Sequence, residues 1–172
     1  QAKLVEMASL NAAERLSQSA GRSVRELAAL EELARLLGLQ KPPSYIESYD
    51  ISNIGSQEIV GGMVVFESGR PLKSAYKRFA IREVVGAPDD YASMQEMLRR
   101  RFERYRSAEE PADSSFKRLP DLILIDGGQG QLAVAKRVLE DFGIDTPAFG
   151  MVKDDRHRTR AIAADGGEIA FS

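Results

Sequence analysis

The stretch "DLILIDGG", residues 121–128, constrains the fold more than any other part of the chain. Four consecutive apolar residues leave it no polar face, so a strand formed there is buried on both sides, as central strands of parallel sheets are. The acid and two glycines that follow end the strand and open a turn. "QLAVAKRVLEDFGI" then has the period of an amphipathic helix closed by Gly143, and "PAFGMVK" reads as the next short strand.

Upstream, three strand-like runs, "YIESYDIS", "EIVGGMVVFES" and "PLKSAYKRFAI", are separated by the turns "SNIGSQ" and "SGRP", which predicts an antiparallel meander. Gly61–Gly62 inside the second run predicts a bulge or a close backbone approach. "DDYASMQEMLRRRFERYRS" reads as a helix with Asp89 and Asp90 at its positive start, "SAEEPADSSFKR" as a polar loop, and "AIAADGGEIAF" as a final hairpin. Residues 1–38 read as helix. Ser23 and Glu26 have capping-box spacing ahead of leucines 27, 30, 33 and 37, and Gly38 and Pro42–Pro43 end the pattern. Gly21 is expected to separate this helix from an earlier one carrying Leu4, Met7, Leu10 and Leu16, giving a helical hairpin. The order β-β-β-α-β-α-β after a helical extension predicts a mixed α/β sheet, three antiparallel strands and then parallel ones with helices. That is the ribonuclease H-like order, which by itself fixes no function.

Composition removes several chemistries. The 172 residues include no cysteine, which excludes disulfides, thiolate zinc sites and cysteine nucleophiles, and a single histidine, which excludes roles needing two. At 43% hydrophobic and 29% charged the chain can bury a core. With a net charge of -2, any nucleic-acid partner needs a local basic face. No apolar run approaches the roughly 20 residues of a membrane span, and the first residues are too polar for a signal peptide. A soluble cytoplasmic protein without membrane association is expected. The chain starts inside a helical pattern at Gln1 and stops at "GGEIAFS", so a fragment of something longer is expected.

The acids at strand ends carry the chemistry. Asp50 ends "YIESYD" on the alternating face of Ile46 and Ser48, which is expected to point at the core, where an unpaired charge costs several kcal/mol. Asp126 ends "LILID" in the same way, and ligands of open α/β sheets bind at that rim. Either acid alone reads as a turn cap. If their strands are neighbours, the two anions repel unless a cation lies between them. Oxygen-only ligands indicate Mg²⁺ or Mn²⁺, ions that activate water and stabilise the leaving oxygen of a phosphodiester. "DGGQGQ" could cradle a phosphate at the start of the following helix, although it lacks the Lys-Ser/Thr of a nucleotide P-loop. "LRRRFERYR" supplies Arg99, Arg100, Arg101, Arg104 and Arg106, and "MVKDDRHRTR" supplies Lys153, Arg156, Arg158 and Arg160. Each cluster alone reads as a solvated surface, and together they could form a basic face near the carboxylates. His157 reads as a phosphate contact ahead of a general acid or base.

"YIESYDISNIGSQEIVGGMVVFESGRPLKSAYKRFAI", "DDYASMQEMLRRRF", "LPDLILIDGGQGQLAVAKRVLEDFGI" and "MVKDDRHRTRAI" together resemble the C-terminal endonuclease domain of the UvrC family of bacterial excision repair, from about Pro42 to the end. The resemblance implies a ribonuclease H-like fold and a divalent-metal nuclease that cuts damaged double-stranded DNA 5′ to a lesion, with UvrB as a partner through a segment outside this sequence. It puts the family's first two catalytic aspartates, both metal ligands, on Asp50 and Asp126. A further important acid of its "DDY" motif falls on Asp90, for which capping of the arginine helix is an equal reading. DNA contacts are expected from Arg99, Arg100, Lys153, Arg156, His157 and Arg158 of the two basic clusters. The family's catalytic histidine belongs to an "RIxDExHRF"-like segment past Ser172. His157, in "KDDxHR", is a different position and is not given that role. On this resemblance residues 1–41 are a helical segment and 42–172 an endonuclease domain truncated at its carboxyl end, whose isolated site is expected to be incomplete. A non-catalytic nucleic-acid-binding or scaffold module that kept the fold is the main rival. A phosphohydrolase for small substrates, using "DGGQGQ", is a third reading.

Overall fold

The computed structural model describes residues 2–55, 58–84 and 86–170, with side chains from Ser9 onward in the first helix. The Leu4 and Met7 side chains, Ser56 and Gln57 of the first expected turn, and Phe171 and Ser172 lie outside the described residues. The chain divides into two units. One runs to Ser44 and includes Ser68–Arg70; the other comprises Tyr45–Glu67 and the residues from Pro71 onward. Among the described residues no helix is long and apolar enough to cross a membrane.

In the first unit a single helix, α1 (Ala2–Leu37), replaces the expected helical hairpin. A glycine inside a helix costs only about 1 kcal/mol, too little for Gly21 to break a segment rich in Ala, Leu, Glu and Arg. Because the helix is continuous, Ser23 and Glu26 do not form a capping box. Their side chains accept from Arg70 instead, Glu26 Oε2 from Nε at 2.7 Å and Ser23 Oγ from Nη2 at 3.2 Å. The helix ends as its sequence predicts. Gly38 takes φ +67°, and the Leu39 N–H donates back to the Ala34 carbonyl at 2.8 Å.

The second unit is built on one mixed sheet. Its strands are β1 (Tyr45–Ile54), β2 (Glu58–Glu67), β3 (Arg70–Pro71), β4 (Lys77–Ala80), β5 (Leu122–Asp126), β6 (Ala148–Lys153), β7 (Thr159–Ala164) and β8 (Gly167–Ala170). They run in the order β3-β2-β1-β5-β6-β7-β8, with β4 also on β2. β1 is antiparallel to β2 and parallel to β5, β5 is parallel to β6, and β7 and β8 close the sheet antiparallel. The third expected run is not one strand. A 3-10 turn at Lys73–Ala75 interrupts it just after Pro71, which has no N–H to continue a ladder.

Helices α2 (Asp90–Arg106) and α3 (Gln129–Asp141) follow β4 and β5. Met94, Met97, Leu98 and Phe102 of α2, with Leu132, Ala135, Val138 and Leu139 of α3, pack on Tyr45, Tyr49, Met63, Val65, Ile123 and Ile125. Fully burying each large apolar side chain is worth about 1.5–3 kcal/mol. The helix-packed face of β1 is therefore that of Tyr45, Glu47 and Tyr49. Asp50, Ser48 and Ile46 stand on the reverse face, and the expectation that Asp50 points into the core is corrected. The tyrosines take the helix side because their carboxylate partner on the same strand face meets Arg101 of α2 there.

That partner is Glu47, which is fully buried together with Arg101 of α2. Arg101 Nη2 and Nε donate to Glu47 Oε1 and Oε2 at 2.7 and 3.2 Å, and the Tyr49 hydroxyl donates to Oε2. The rest of the guanidinium is spent on the Phe116 and Arg118 carbonyls at 2.8 and 2.7 Å. Arg101 is thus part of the core, and not of the basic surface expected for it. Removing one partner of such a pair leaves a charge buried alone. Arg101→Met is expected to destabilise by about 3–5 kcal/mol, read as a fall in the urea midpoint, and Glu47→Gln in the same chain should return part of that loss.

Burial first, and the Glu47 charge second, hold the Tyr49 hydroxyl well above its ordinary pKa. A raised pKa keeps the folded state protonated where the unfolded chain ionises. The stabilisation is whole below pH about 10 and is lost as pH rises beyond it. Urea midpoints across that alkaline range should fall less for Tyr49→Phe than for the parent.

Candidate functional site

The parallel pairing of β1 and β5 sets the site. Ile46, Glu47, Ser48 and Tyr49 are matched with Leu122, Ile123, Leu124 and Ile125, so one step further along each strand come Asp50 and Asp126, side by side on the face away from α2 and α3. Both are half-buried. Ser52 Oγ donates to Asp50 Oδ2 at 3.1 Å. On β2, Gly62 is directly opposite Asp50, and a Cβ there would come within 2.5 Å of Asp50 Oδ1. Gly61 serves the other face, where a Cβ would meet Met97 Sδ at 2.4 Å. The register runs without a bulge, so of the two expectations for this pair the close approach is the one realised.

Beyond β5, Lys153 at the end of β6 donates from Nζ to Asp126 Oδ2 at 2.5 Å. Its side chain is 37% exposed and that of Asp126 27%, so the pair is reachable from solvent. Two carboxylates and one ammonium leave the centre with a surplus negative charge, a donor set of oxygens suited to a hard divalent cation. Among the described residues no group of three or more His, Cys, Asp or Glu side chains converges to hold a metal.

The glycines after Asp126 serve close packing. A Cβ on Gly127 would strike the Gln131 side chain, one on Gly150 would come within 2.7 Å of the Gly127 carbonyl, and one on Gly130 within 2.2 Å of the Tyr91 hydroxyl. The loop is thereby pressed between β6 and the start of α2. Gln129 Nε2 donates to the Ala164 and Gly167 carbonyls at 3.0 and 2.9 Å, tying the first turn of α3 to the β7–β8 hairpin. Gly128 caps α3 with no side-chain acceptor.

The two basic clusters part company. On α2, Arg99 pairs with Asp141 at 2.5 Å, Arg100 donates to the Ala80 carbonyl at 2.6 Å and to Glu96 at 3.1 Å, and Arg104 pairs with Glu110 at 2.8 Å while lying over the Phe116 ring. Arg106 donates to the Phe142 carbonyl. These side chains belong to the helix layer, so the fold does not bring Arg99 or Arg100 together with Asp50 and Asp126. The β6–β7 turn does stand beside them. Asp154 Oδ1 accepts from the Arg156 and Arg158 N–H groups at 2.9 Å each, and Arg158 Nε reaches Oδ2 at 3.2 Å. The Arg158 backbone bond leads the causes that hold the Asp154 carboxyl below the usual range. Inside this turn His157 has φ +59°. Arg156, His157 and Arg158 are all exposed, directly after Lys153.

At the start of α2 the cap is Asp89, whose Oδ1 accepts from the Tyr91 and Ala92 N–H groups at 3.0 Å each. Capping by Asp90 is therefore corrected. Asp90 is exposed in the first turn and, with Asn53, Ala87, Pro88, Asp89 and Tyr91, lines a concavity of about 530 Å³. Sequence reasoning missed Gly62 as the residue that clears room for Asp50, and missed the ion pair of Lys153 with Asp126. Gly62 did leave a signal, a glycine pair inside a strand.

The description "UvrC RNAse H endonuclease domain" matches residues 34–171. Proteins named UvrABC system protein C resemble nearly the whole chain: 43% identical over 99% of it in Acetivibrio thermocellus, 44% over 99% in Ruminiclostridium cellulolyticum and 47% over 97% in Lachnospira eligens. The chain spans only 29%, 28% and 28% of their lengths. Among solved structures, Ciona intestinalis endonuclease V in complex with an inosine-containing DNA aligns at TM-score 0.45 and 12% identity, over 82% of this chain and 58% of that one.

Filling the gap at residue 62 tests the geometry. Gly62→Ala is expected to weaken Mn²⁺ binding about tenfold or more, measured by calorimetric titration, with the circular dichroism spectrum unchanged.

Proposed function

This chain belongs to the UvrC RNase H endonuclease family, and from that premise we propose that it hydrolyses a DNA phosphodiester with a divalent metal ion held by Asp50 and Asp126. The cut is the incision 5′ to a lesion in nucleotide excision repair. The observation that carries the reading is the two carboxylates in register on adjacent parallel strands, with an ammonium already drawn to one of them. The gap at Gly62 supports the fit, since it keeps Asp50 Oδ1 clear on the side where a side chain would otherwise stand. The chemistry such an ion, Mg²⁺ or Mn²⁺, supplies is activation of water and stabilisation of the leaving oxygen.

The protein's own groups do the rest by placement and charge. Asp50 is steadied by Ser52, and Asp126 by its position at the end of a strand whose Leu122, Ile123 and Ile125 are buried. Lys153, whose ammonium meets Asp126, would be placed to contact a phosphate of the strand at that edge. Arg156, His157 and Arg158 extend that positive edge and hold the strand by its backbone. Asp90, the first residue of α2, adds a further acid near the end of β1. Arg99 and Arg100, engaged with Asp141, Glu96 and the Ala80 carbonyl, lie off this path. The relatives' naming as UvrABC system protein C supports UvrB as a partner of the longer protein; damaged double-stranded DNA as substrate and a cytoplasmic setting complete the reading.

In the full-length protein, Asp50→Asn and Asp126→Asn are each expected to lower nicking of a lesion-bearing duplex by roughly a thousandfold or more while the folded spectrum is retained. Cutting that survives either change removes that residue from the site. DNA binding with no cleavage and no metal dependence, in the unaltered full-length protein, would favour the rival reading of a binding module.

A further inference from the structure

We propose that the concavity at the start of α2 receives a nucleobase of the strand being cut, stacked on Tyr91 and read at its edge by Asn53 and Asp90. The inference takes its DNA from the nuclease reading above and adds to it the part of the strand that is gripped.

The exposed ring is the starting point. Among the described residues of the second unit the large hydrophobics that stay exposed are Ile54, the last residue of β1, and Tyr91, in the first turn of α2, at 49% and 55%. Tyr91 is held in place. Its hydroxyl rests against Gly130 of α3, where even a Cβ would intrude to 2.2 Å, so the ring forms a fixed wall. Pro88, Ala87 and Asn53 line the same space of about 530 Å³, ample for one base. Aromatic stacking tolerates any base and is worth about 1–3 kcal/mol.

Charge decides which part of a nucleotide enters. Asp89 spends Oδ1 on the helix cap. Asp90 in the first turn leaves this concavity acidic, which repels a phosphate and accepts from the exocyclic amino group of cytosine, adenine or guanine. The Asn53 amide both donates and accepts. Asn53 lies three residues beyond Asp50 along β1, roughly 10 Å at the rise of a strand, or about three nucleotides at their duplex spacing of ~3.4 Å; that odd step turns it to the helix-packed face, so the nucleic-acid strand passes around the end of β1 between the two. The base must leave its stack to enter, at a cost of a few kcal/mol that is least where pairing is already damaged.

The test uses full-length protein and oligonucleotides carrying 2-aminopurine at successive positions around the cut, with metal withheld so that the strand stays whole. Fluorescence should be quenched at one position within about three nucleotides of the cut. Tyr91→Ala should restore it and, with metal present, raise KM about tenfold at unchanged kcat. Tyr91→Phe should keep both parent values, which separates stacking from the hydroxyl contact with Gly130. An abasic nucleotide at that position should raise KM by the same factor and make Tyr91→Ala silent. Thymine there, lacking the amino group, should bind more weakly than cytosine in the parent and equally in Asp90→Ala. Quenching at no position, quenching that survives Tyr91→Ala, or losses that add would overturn the proposal. Quenching without any cleavage once metal is supplied upholds the base site and sinks the nuclease reading. Cleavage at the parent KM by Tyr91→Ala sinks the base site and leaves the nuclease reading intact.

Discussion

The parallel pairing of β1 with β5 is the constraint on which the rest of the molecule depends. Its register brings two acids, 76 residues apart in the chain, to one level of one face. A slip of one residue would turn either carboxylate to the opposite face, because side chains alternate with a period of two. The buried Glu47–Arg101 pair opposes such a slip. It anchors β1 to α2 through two charge-assisted hydrogen bonds, while two more tie Arg101 to the Phe116 and Arg118 carbonyls, and moving Glu47 by one position would leave both charges unpaired in the core. Buried ion pairs add little net stability over a well-packed apolar alternative. What this pair supplies is a register.

Glycine is the second device, used here where atoms must come close. Gly61 lets α2 settle on the sheet, Gly62 opposite Asp50 leaves oxygen where carbon would be, and Gly127 and Gly150 let the loop after Asp126 lie flat against β6. The acids and the basic turn that follows Lys153 consequently share one edge. The arginines of α2 are consumed in holding their own helix to its neighbours. A basic cluster in a sequence is thus no measure of a basic surface, since guanidinium groups also serve as buried connectors and as caps on carbonyls.

Much of this was legible beforehand. The apolar run at 122–125 announced a central strand ending at Asp126, whereas β1 runs on past Asp50 to Ile54, so the strand end expected at Asp50 is corrected. What could not be read was long-range. Whether Tyr49 or Asp50 faced the helices depended on Arg101, 54 residues from Glu47, which in turn holds the Tyr49 hydroxyl. Gly21 resembled a helix break because propensity alone cannot weigh its small cost against the good helix formers around it. The strand expected over 71–81 broke after Pro71, a residue whose effect on a ladder is easier to state than to locate. Lys153 was recognised as basic but not as the companion of Asp126, since nothing in the sequence measures the distance between the ends of β5 and β6.

The two hydrogen bonds from Gln129 to the Ala164 and Gly167 carbonyls have a mechanical meaning. They fasten an edge hairpin to the turn that begins two residues after Asp126, so the hairpin works as a lever arm. The ion pair of Lys136 with Asp165 makes a second tie from the same helix, α3, to the same hairpin. Anything that seizes that hairpin therefore has a grip on the tilt of the helix and, through it, on the aim of one carboxylate.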